Sequence, residues 1–169
     1  GPFDGGQSLV RNQGYINGLF YDDNGSGAGK SKTDLMWAAD IIKVGLAGSI
    51  RDYTLTTHWD ASLQLQQLDY NGQPAGYVTS PAEVVNYNEN HDNQTLFDIN
   101  AYKLPSTTSK EDRARVQMLG AAINAFSQGV AYFHAGIDTL RSKSMDRNSY
   151  NSGDWFNRLD WSYQRNFFG

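Results

Sequence analysis

The sequence predicts an α/β fold in which two short strands run parallel and helices connect them. Two mainly apolar runs, Val84–Tyr87 and Val130–Phe133, have the length and composition of buried strands. The segment between them contains two stretches in which apolar residues recur at helical spacing. A strand followed by helices and by a second strand is the order typical of a parallel sheet.

Ahead of the first strand, the sequence predicts a loop, one helix and an irregular segment. Residues 1–30 are rich in Gly, Asn and Asp and show no sustained period, which is typical of a loop. Ser31 or Thr33 can cap a helix that continues to about Ala47. Its apolar face contains Leu35, Ala38, Ala39, Ile42 and Leu46. Residues 51–80 are predicted to be irregular, with a turn at 69–72.

Between the two strands, the sequence predicts two helices. The first covers about Gln94 to Lys103 and ends before a proline. Ser109 and Asp112 have the spacing of a capping box, which indicates that the second helix begins there. This helix is predicted to end by Gly129. Its apolar face contains Val116, Leu119, Ala122, Ile123 and Phe126.

Composition excludes several classes of function. The chain has 169 residues and a net charge of −4, with a pI near 5.2, which argues against a nucleic-acid-binding surface. Its apolar runs are too short for a membrane span. Without cysteine it has no disulfide, thiolate metal site or cysteine nucleophile. The 4 Trp, 10 Tyr and 8 Phe favour a carbohydrate ligand slightly, although a loop-rich domain without a ligand would also contain them.

Polar residues follow both predicted strands. His91 and Asp92 come after the first strand, and the polar, aromatic segment 134–160 comes after the second. In parallel α/β folds functional residues gather at the carboxyl ends of strands. These two segments are therefore the candidate site, although an Asn-His-Asp string such as 90–92, taken alone, is more often a turn with a hydrogen-bonded histidine than a catalytic site.

Several strings resemble the pullulanases and limit dextrinases, the debranching enzymes of glycoside hydrolase family 13. Asn90-His91-Asp92 resembles the family signature after barrel strand seven. The other similar strings are 1–4, 69–72, 133–136, 140–144 and 149–158. The resemblance implies that residues 1–169 are the C-terminal portion of a catalytic (β/α)8 TIM barrel, roughly strands seven and eight with their helices and loops.

The resemblance also implies roles for the residues after strand seven. Asp92 corresponds to the aspartate that hydrogen-bonds the sugar ring as it flattens towards an oxocarbenium ion, and is thus a transition-state stabiliser. His91 corresponds to a histidine that donates to the same sugar, and Asn93 is expected to contact the substrate beside it.

A second group of site residues lies later in the chain. Asp154 and Arg158 resemble a family pair that grips the next glucose, and they would share a face if residues 154–158 form a helical turn. Trp155 could stack on a sugar ring. Without the family, Asp154 and Arg158 could be an ordinary surface ion pair, and Trp155 could be a core residue. His134 is expected to be structural.

The parent protein implied by the resemblance hydrolyses α-1,6 branch linkages in pullulan, amylopectin and limit dextrins with retention of configuration. Retention requires a nucleophile and a general acid. In the family these are an Asp and a Glu upstream of the segment that this chain resembles. The glutamates present, Glu83, Glu89 and Glu111, lack the context of the family's acid. The chain by itself is therefore expected to be inactive.

Two alternatives remain open on the sequence. The chain could be a non-catalytic glucan-binding segment of an amylase-like protein, or a metal-dependent phosphohydrolase that uses His91-Asp92 with further ligands. No cofactor and no metal-ligand set is evident, although the resemblance allows structural calcium in the parent. The expected partners are an α-glucan, such as pullulan, limit dextrin or a maltooligosaccharide, and the remainder of the barrel. The family occurs as bacterial secreted or surface proteins and in plant plastids.

Overall fold

The computed structural model describes residues 12–26 and 29–169, which belong to two compact units. We define the site unit as the described residues of Gly1–Lys30 with Asn88–Ala121 and Phe133–Gly169. The hairpin unit comprises Ser31–Tyr87 and Ala122–Tyr132. The opening string 1–4 lies outside the described residues, so nothing here tests it.

The first described helix, α1, spans Lys32–Leu46 and begins at a capping box. The Ser31 hydroxyl accepts from the Asp34 backbone N–H at 3.2 Å, and the Ser31 N–H donates to the Asp34 carboxylate at 2.7 Å. Two backbone donors that have no partner within the helix are thereby satisfied. The predicted helix is confirmed, with Ser31 rather than Thr33 as its cap.

Two small antiparallel hairpins occupy the segment predicted to be irregular. Strand β1 (Thr54–Thr56) pairs with β2 (Ser62–Gln64), and β3 (Asp69–Tyr70) pairs with β4 (Gln73–Pro74). The turn between β3 and β4 has positive φ at both Asn71 and Gly72, as a two-residue hairpin loop requires. The turn predicted at 69–72 is confirmed, but the strands were missed because strands of two or three residues are too short to show an alternating pattern.

Helix α1 and the hairpins enclose the apolar core of the hairpin unit. Leu65, which is fully buried, begins a short 3₁₀ helix that spans Leu65–Gln67. The buried core residues are Val44, Leu55, Leu65, Leu68 and Ala75, and Trp37, Ile41, Ala47 and Leu63 pack against them. A second 3₁₀ turn, Pro81–Glu83, leads towards the parallel strands.

The predicted parallel pair is present. Strand β5 (Val85–Asn86) pairs with β6 (Val130–Ala131) in parallel register, which confirms the α/β class. Gly129, immediately before β6, has φ of 116°, and a Cβ there would lie 2.8 Å from a Val84 methyl carbon. This position therefore requires glycine.

The length and burial predicted for these strands were wrong. Each strand has two residues rather than four, and Val85 and Val130 are 53% and 52% exposed. Within the described part of the chain, neither strand has a further neighbour, so no closed barrel forms. Apolar strand residues are buried only where another layer covers the sheet.

The remaining helices follow the predicted order. Helix α2 spans Leu96–Lys103 with Thr95 as its N-cap, and α3 spans Lys110–Phe126. The Ser109 hydroxyl accepts from the Asp112 N–H at 3.1 Å, as predicted at the start of α3. Two 3₁₀ turns, Ile137–Thr139 and Ser149–Asn151, precede the short helix α4, Asp154–Asn157. None of the helices within residues 12–26 and 29–169 has the length and apolar character needed to cross a membrane.

A buried carboxylate joins α1 to the first hairpin. Asp40 is completely buried and accepts from the His58 backbone N–H at 2.9 Å, His58 Nδ1 at 2.7 Å and Lys43 Nζ at 2.8 Å. Burial is the strongest single influence and acts to raise the pKa of Asp40, but the hydrogen bonds from Lys43 and His58 together hold it below its ordinary value. The ionised form thus stabilises the fold.

We predict that Asp40→Asn lowers the free energy of unfolding by about 1–3 kcal/mol at pH 7, because the charge-assisted acceptor is lost. A carboxyl group with a depressed pKa in the folded state contributes stability above its unfolded pKa, near 3.9, and this contribution is lost as the pH falls through the folded value. The difference between the wild type and the variant should therefore shrink below about pH 4. Urea unfolding at several pH values measures this, with the exposed Asp52→Asn as a control expected to change little. An equal difference at all pH values would contradict the prediction.

Candidate functional site

His91 and Asp92 lie in an exposed loop that follows β5 along the chain. Asp92 N donates to Asn90 Oδ1 at 2.8 Å, and Asp92 Oδ1 accepts from Asn93 N at 3.0 Å. Asn93 has a positive φ of 58°, which an asparagine tolerates better than most residues. The side chains of His91 and Asp92 are exposed, so a ligand can reach both.

Lys143 connects this loop to the segment after β6. Its side chain is only 1% exposed, and Nζ donates to the His91 backbone carbonyl at 3.0 Å. The two residues are 52 positions apart in sequence. The two segments predicted to form the site therefore meet, and a buried side chain makes the contact.

The position of Lys143 is itself fixed by a carboxylate on α2. Asp98 is completely buried, and its Oδ2 accepts from the Lys143 backbone N–H at 2.8 Å. Its Oδ1 accepts from the Ser142 hydroxyl at 2.5 Å. Both carboxylate oxygens are thus satisfied, as a buried charge requires.

Several charges act on Lys143. Burial has the largest effect and lowers the pKa of Lys143, and the positive charge of Arg141 acts in the same direction. Asp146, Asp92 and Asp98 oppose this shift. The negative charge of Asp92 is thus one of those that act on the pKa of Lys143.

A second series of buried polar side chains, linked by hydrogen bonds, includes Glu89, His134 and Arg141. Glu89 accepts from the Leu96 backbone N–H with Oε2, and its Oε1 lies 3.1 Å from His134 Nδ1. His134 Nε2 lies 3.1 Å from an Arg141 guanidinium nitrogen, which can only donate. Nε2 must therefore accept, and this assigns the His134 proton to Nδ1, from which it is donated to Glu89. His134 has the structural surroundings predicted for it.

Arg141 is the last residue of this hydrogen-bonded series. Its guanidinium donates to the carbonyl oxygens of Ala135 and Asn157 at 3.3 and 2.8 Å. Burial lowers the pKa of Arg141, while Glu89 and Asp98 raise it. Through Asn157, this arginine also fixes the end of α4, which carries the later group of predicted site residues.

Arg158 stacks on aromatic rings instead of pairing with an acid. Its guanidinium carbon lies 3.4 Å from the centroid of Trp155 and 3.9 Å from that of Phe167. Among the described residues no ion pair joins Asp154 to Arg158, so the reading as an ordinary surface ion pair is wrong. The predicted helical turn is present only as far as Asn157, because Arg158 is the extended C-cap of α4. Trp155 is 55% exposed rather than part of the core.

Among the described residues, the two groups of predicted site residues share no polar contact. Within the described part of the chain, no hydrogen bond or ion pair joins residues 91–93 to 154–158. Both groups belong to the site unit, and a different buried residue contacts each of them: Lys143 bonds to His91 in the first group, and Arg141 bonds to Asn157 in the second. The roles assigned to these residues stay predictions.

Four buried charged residues were missed as parts of the site: Glu89, Asp98, Arg141 and Lys143. Asp98 lies in the first turn of α2, where the helix dipole alone favours an acidic residue. The sequence therefore offered no reason to expect a distant partner for it. Arg141 and Lys143 belong to the string 140–144 that resembles the family, and this was the one signal that could have drawn attention to them.

Comparisons with known proteins connect this geometry to one family. No family model matches the chain. It is 44% identical to pullulanase 1, chloroplastic, of Arabidopsis thaliana over 93% of its length, and 42% identical to a Klebsiella pneumoniae pullulanase over 98%. It spans 17% and 15% of the lengths of these relatives.

Solved structures agree with these similarities. The Klebsiella pneumoniae pullulanase crystallised with maltotriose matches 99% of the chain with a TM-score of 0.95 at 41% identity, and the match covers 16% of that protein. Pullulanase from Paenibacillus barengoltzii matches 95% of the chain with a TM-score of 0.61 at 28% identity, covering 20% of that protein. The chain is therefore similar to one segment of proteins that are much longer than itself. It is a pullulanase-type fragment.

We predict that Glu89→Gln destabilises the site unit by about 1–3 kcal/mol, because one amide oxygen cannot replace both carboxylate oxygens and one buried donor loses its acceptor. Urea unfolding measures the loss. The matched control is Glu111→Gln, at an exposed position in the first turn of α3, where little change is expected. Equal effects of the two substitutions would contradict the assigned role of Glu89.

Proposed function

We propose that the chain is part of a debranching glycoside hydrolase that cleaves α-1,6-glucosidic linkages in pullulan, amylopectin and limit dextrins with retention of configuration. The observation that carries the proposal is the TM-score of 0.95, over 99% of the chain, to a pullulanase crystallised with maltotriose. An α-glucan is accordingly the proposed ligand.

In this proposal residues 1–169 are the C-terminal portion of the catalytic (β/α)8 barrel, and β5 and β6 are its strands seven and eight. Their parallel pairing and the helices between them are consistent with consecutive strands of such a barrel. The exposed apolar residues Val85 and Val130 would be covered by the remainder of the barrel in the intact protein.

Asp92 is the proposed transition-state stabiliser. Its carboxylate is exposed, and among the described residues only the adjacent Asn93 N–H donates to it, through one oxygen, so the other oxygen can accept from a sugar hydroxyl. Such a bond strengthens as the sugar ring flattens and gains positive charge, which lowers the barrier rather than merely binding the substrate. His91 and Asn93 would orient the same sugar.

Asp154, Trp155 and Arg158 are proposed to hold the neighbouring glucose. Stacking of the Arg158 guanidinium on Trp155 restricts its rotamers, so that its remaining N–H groups are pre-organised for hydroxyl oxygens. Among the described residues, Arg158 Nε is buried and has no hydrogen-bond partner, so the groups left for a ligand are the terminal guanidinium N–H groups.

The chain by itself is proposed to be inactive. The family's nucleophile and general acid belong to other parts of the parent, so residues 1–169 would supply stabilisation and binding without a group to attack the sugar. The alternative, a non-catalytic glucan-binding segment, gives the opposite result for the parent protein, which would bind maltooligosaccharides without turnover.

We predict that Asp92→Ala in the full-length parent lowers kcat on pullulan by roughly 10³-fold or more, because an interaction made mainly in the transition state is removed. Steady-state kinetics measure this, with thermal unfolding to show that the variant is folded. Asp138→Ala, at another exposed aspartate of the site unit, is the control. A parent with no turnover would support the glucan-binding alternative, whereas near-normal kcat in Asp92→Ala would refute the role of that residue.

Arg158→Lys and Arg158→Ala are expected to raise KM by roughly 10-fold or more with a smaller effect on kcat. Lysine keeps the charge but cannot stack as a planar group or present a fork of donors, so it should not restore binding. Kinetics on maltotriose-terminated substrates separate the two parameters. If lysine restored the wild-type KM, charge alone would account for the contribution of Arg158.

A further inference from the structure

The bonds within the His91–Asp92 loop do not fix its orientation. Asn90, Asp92 and Asn93 bond to one another within a span of four residues, and these bonds would be unchanged if the loop moved as a whole. Catalytic groups lose efficiency when they are displaced by about 1 Å. A contact from outside the loop is therefore needed to hold Asp92 in position.

Lys143 makes such a contact at the peptide bond that joins the two site residues. Its Nζ donates to the carbonyl oxygen of His91, and this carbonyl belongs to the same peptide unit as the Asp92 N–H. Since a peptide unit is planar, fixing the carbonyl also fixes the direction of the N–H and limits the position of the Asp92 Cα.

The other end of Lys143 is held equally firmly. Asp98 binds the Lys143 backbone N–H and the Ser142 hydroxyl, and all three residues are at least 99% buried. Asp98 lies on α2, six positions after Asp92, so the chain of contacts returns to the element that follows the loop. Asp98, Lys143 and His91 thus close a ring of contacts around the loop.

A buried lysine is a costly means of binding a neutral carbonyl. Removing an ammonium group from water is unfavourable, and an apolar residue of similar volume often stabilises a fold as well or better. The negative charges of Asp146, Asp92 and Asp98 offset only part of this cost. A role in orienting the loop accounts for this arrangement better than stability does.

We propose that Lys143, held by Asp98 and Ser142, is a positioning residue that fixes the His91–Asp92 peptide for transition-state stabilisation by Asp92. This inference rests on the proposed function. Lys143 need not touch the substrate; it acts through the orientation of Asp92.

The test is Lys143→Met in the full-length parent, which keeps the length and packing of the side chain but removes the donor and the charge. We expect kcat on pullulan to fall roughly 10- to 100-fold while KM changes less than about threefold. Binding of an iminosugar that mimics the flattened, cationic ring should weaken by a similar factor, and binding of maltotriose should change little.

Two further variants separate positioning from a general loss of stability. Lys103→Met is the matched control, because Lys103 Nζ also donates to a backbone carbonyl of the site unit, that of Asn12, and its kcat should stay normal. Ser142→Ala removes one of the two bonds on Asp98 and should lower kcat several-fold even if Lys143→Met fails to fold. Normal kcat in soluble Lys143→Met, or in Ser142→Ala where Lys143→Met does not fold, would overturn the proposal.

A double-mutant cycle on iminosugar binding distinguishes failure of this inference from failure of the proposed function. If Lys143 acts through Asp92, Lys143→Met should weaken binding in the wild-type background and have almost no further effect in Asp92→Ala. Equal effects in both backgrounds would refute the coupling and leave Asp92 as proposed. Unchanged iminosugar binding in Asp92→Ala itself would refute the proposed function of Asp92.

Discussion

The site unit depends on buried carboxylates that must find donors far away in the sequence. Asp98 is completely buried, and an ionised carboxylate in that position is tolerated only when both oxygens accept hydrogen bonds. The donors come from Ser142 and Lys143, more than 40 positions later. Glu89 meets the same requirement through His134 and the Leu96 N–H. These bonds hold the segments that carry the predicted site residues.

The hydrogen bonds of these buried residues also explain how the exposed side chains of the predicted site can keep a defined position. His91 and Asp92 are exposed to solvent, as their proposed binding of a polar ligand requires, and the hydrogen bonds within their loop do not fix its orientation. The buried Lys143 holds their backbone by donating a hydrogen bond to the carbonyl oxygen of His91. In this arrangement the exposed side chains of His91 and Asp92 would contact the sugar, and the buried Lys143 would orient them.

The hairpin unit also contains a buried carboxylate that joins separate segments, but there it stabilises the fold. Asp40 joins α1 to the first hairpin by accepting from both backbone and ring of His58. The surrounding core is small, with Val44, Leu55 and Leu65 among its members. In both units, a buried carboxylate joins segments that are distant in sequence through hydrogen bonds to its side chain.

The sequence by itself determined the helices, the parallel order of β5 and β6, and the family. Caps such as Ser31 and the 3.6-residue period are local signals, and they gave α1 to within a residue of its end. Only the tertiary structure decided the hairpins of residues 51–80, the stacking of Arg158 and the contact from Lys143 to His91. A two-residue strand has no readable period, and a hydrogen bond across 52 residues leaves no local pattern, because its donor and acceptor meet only once the chain has folded.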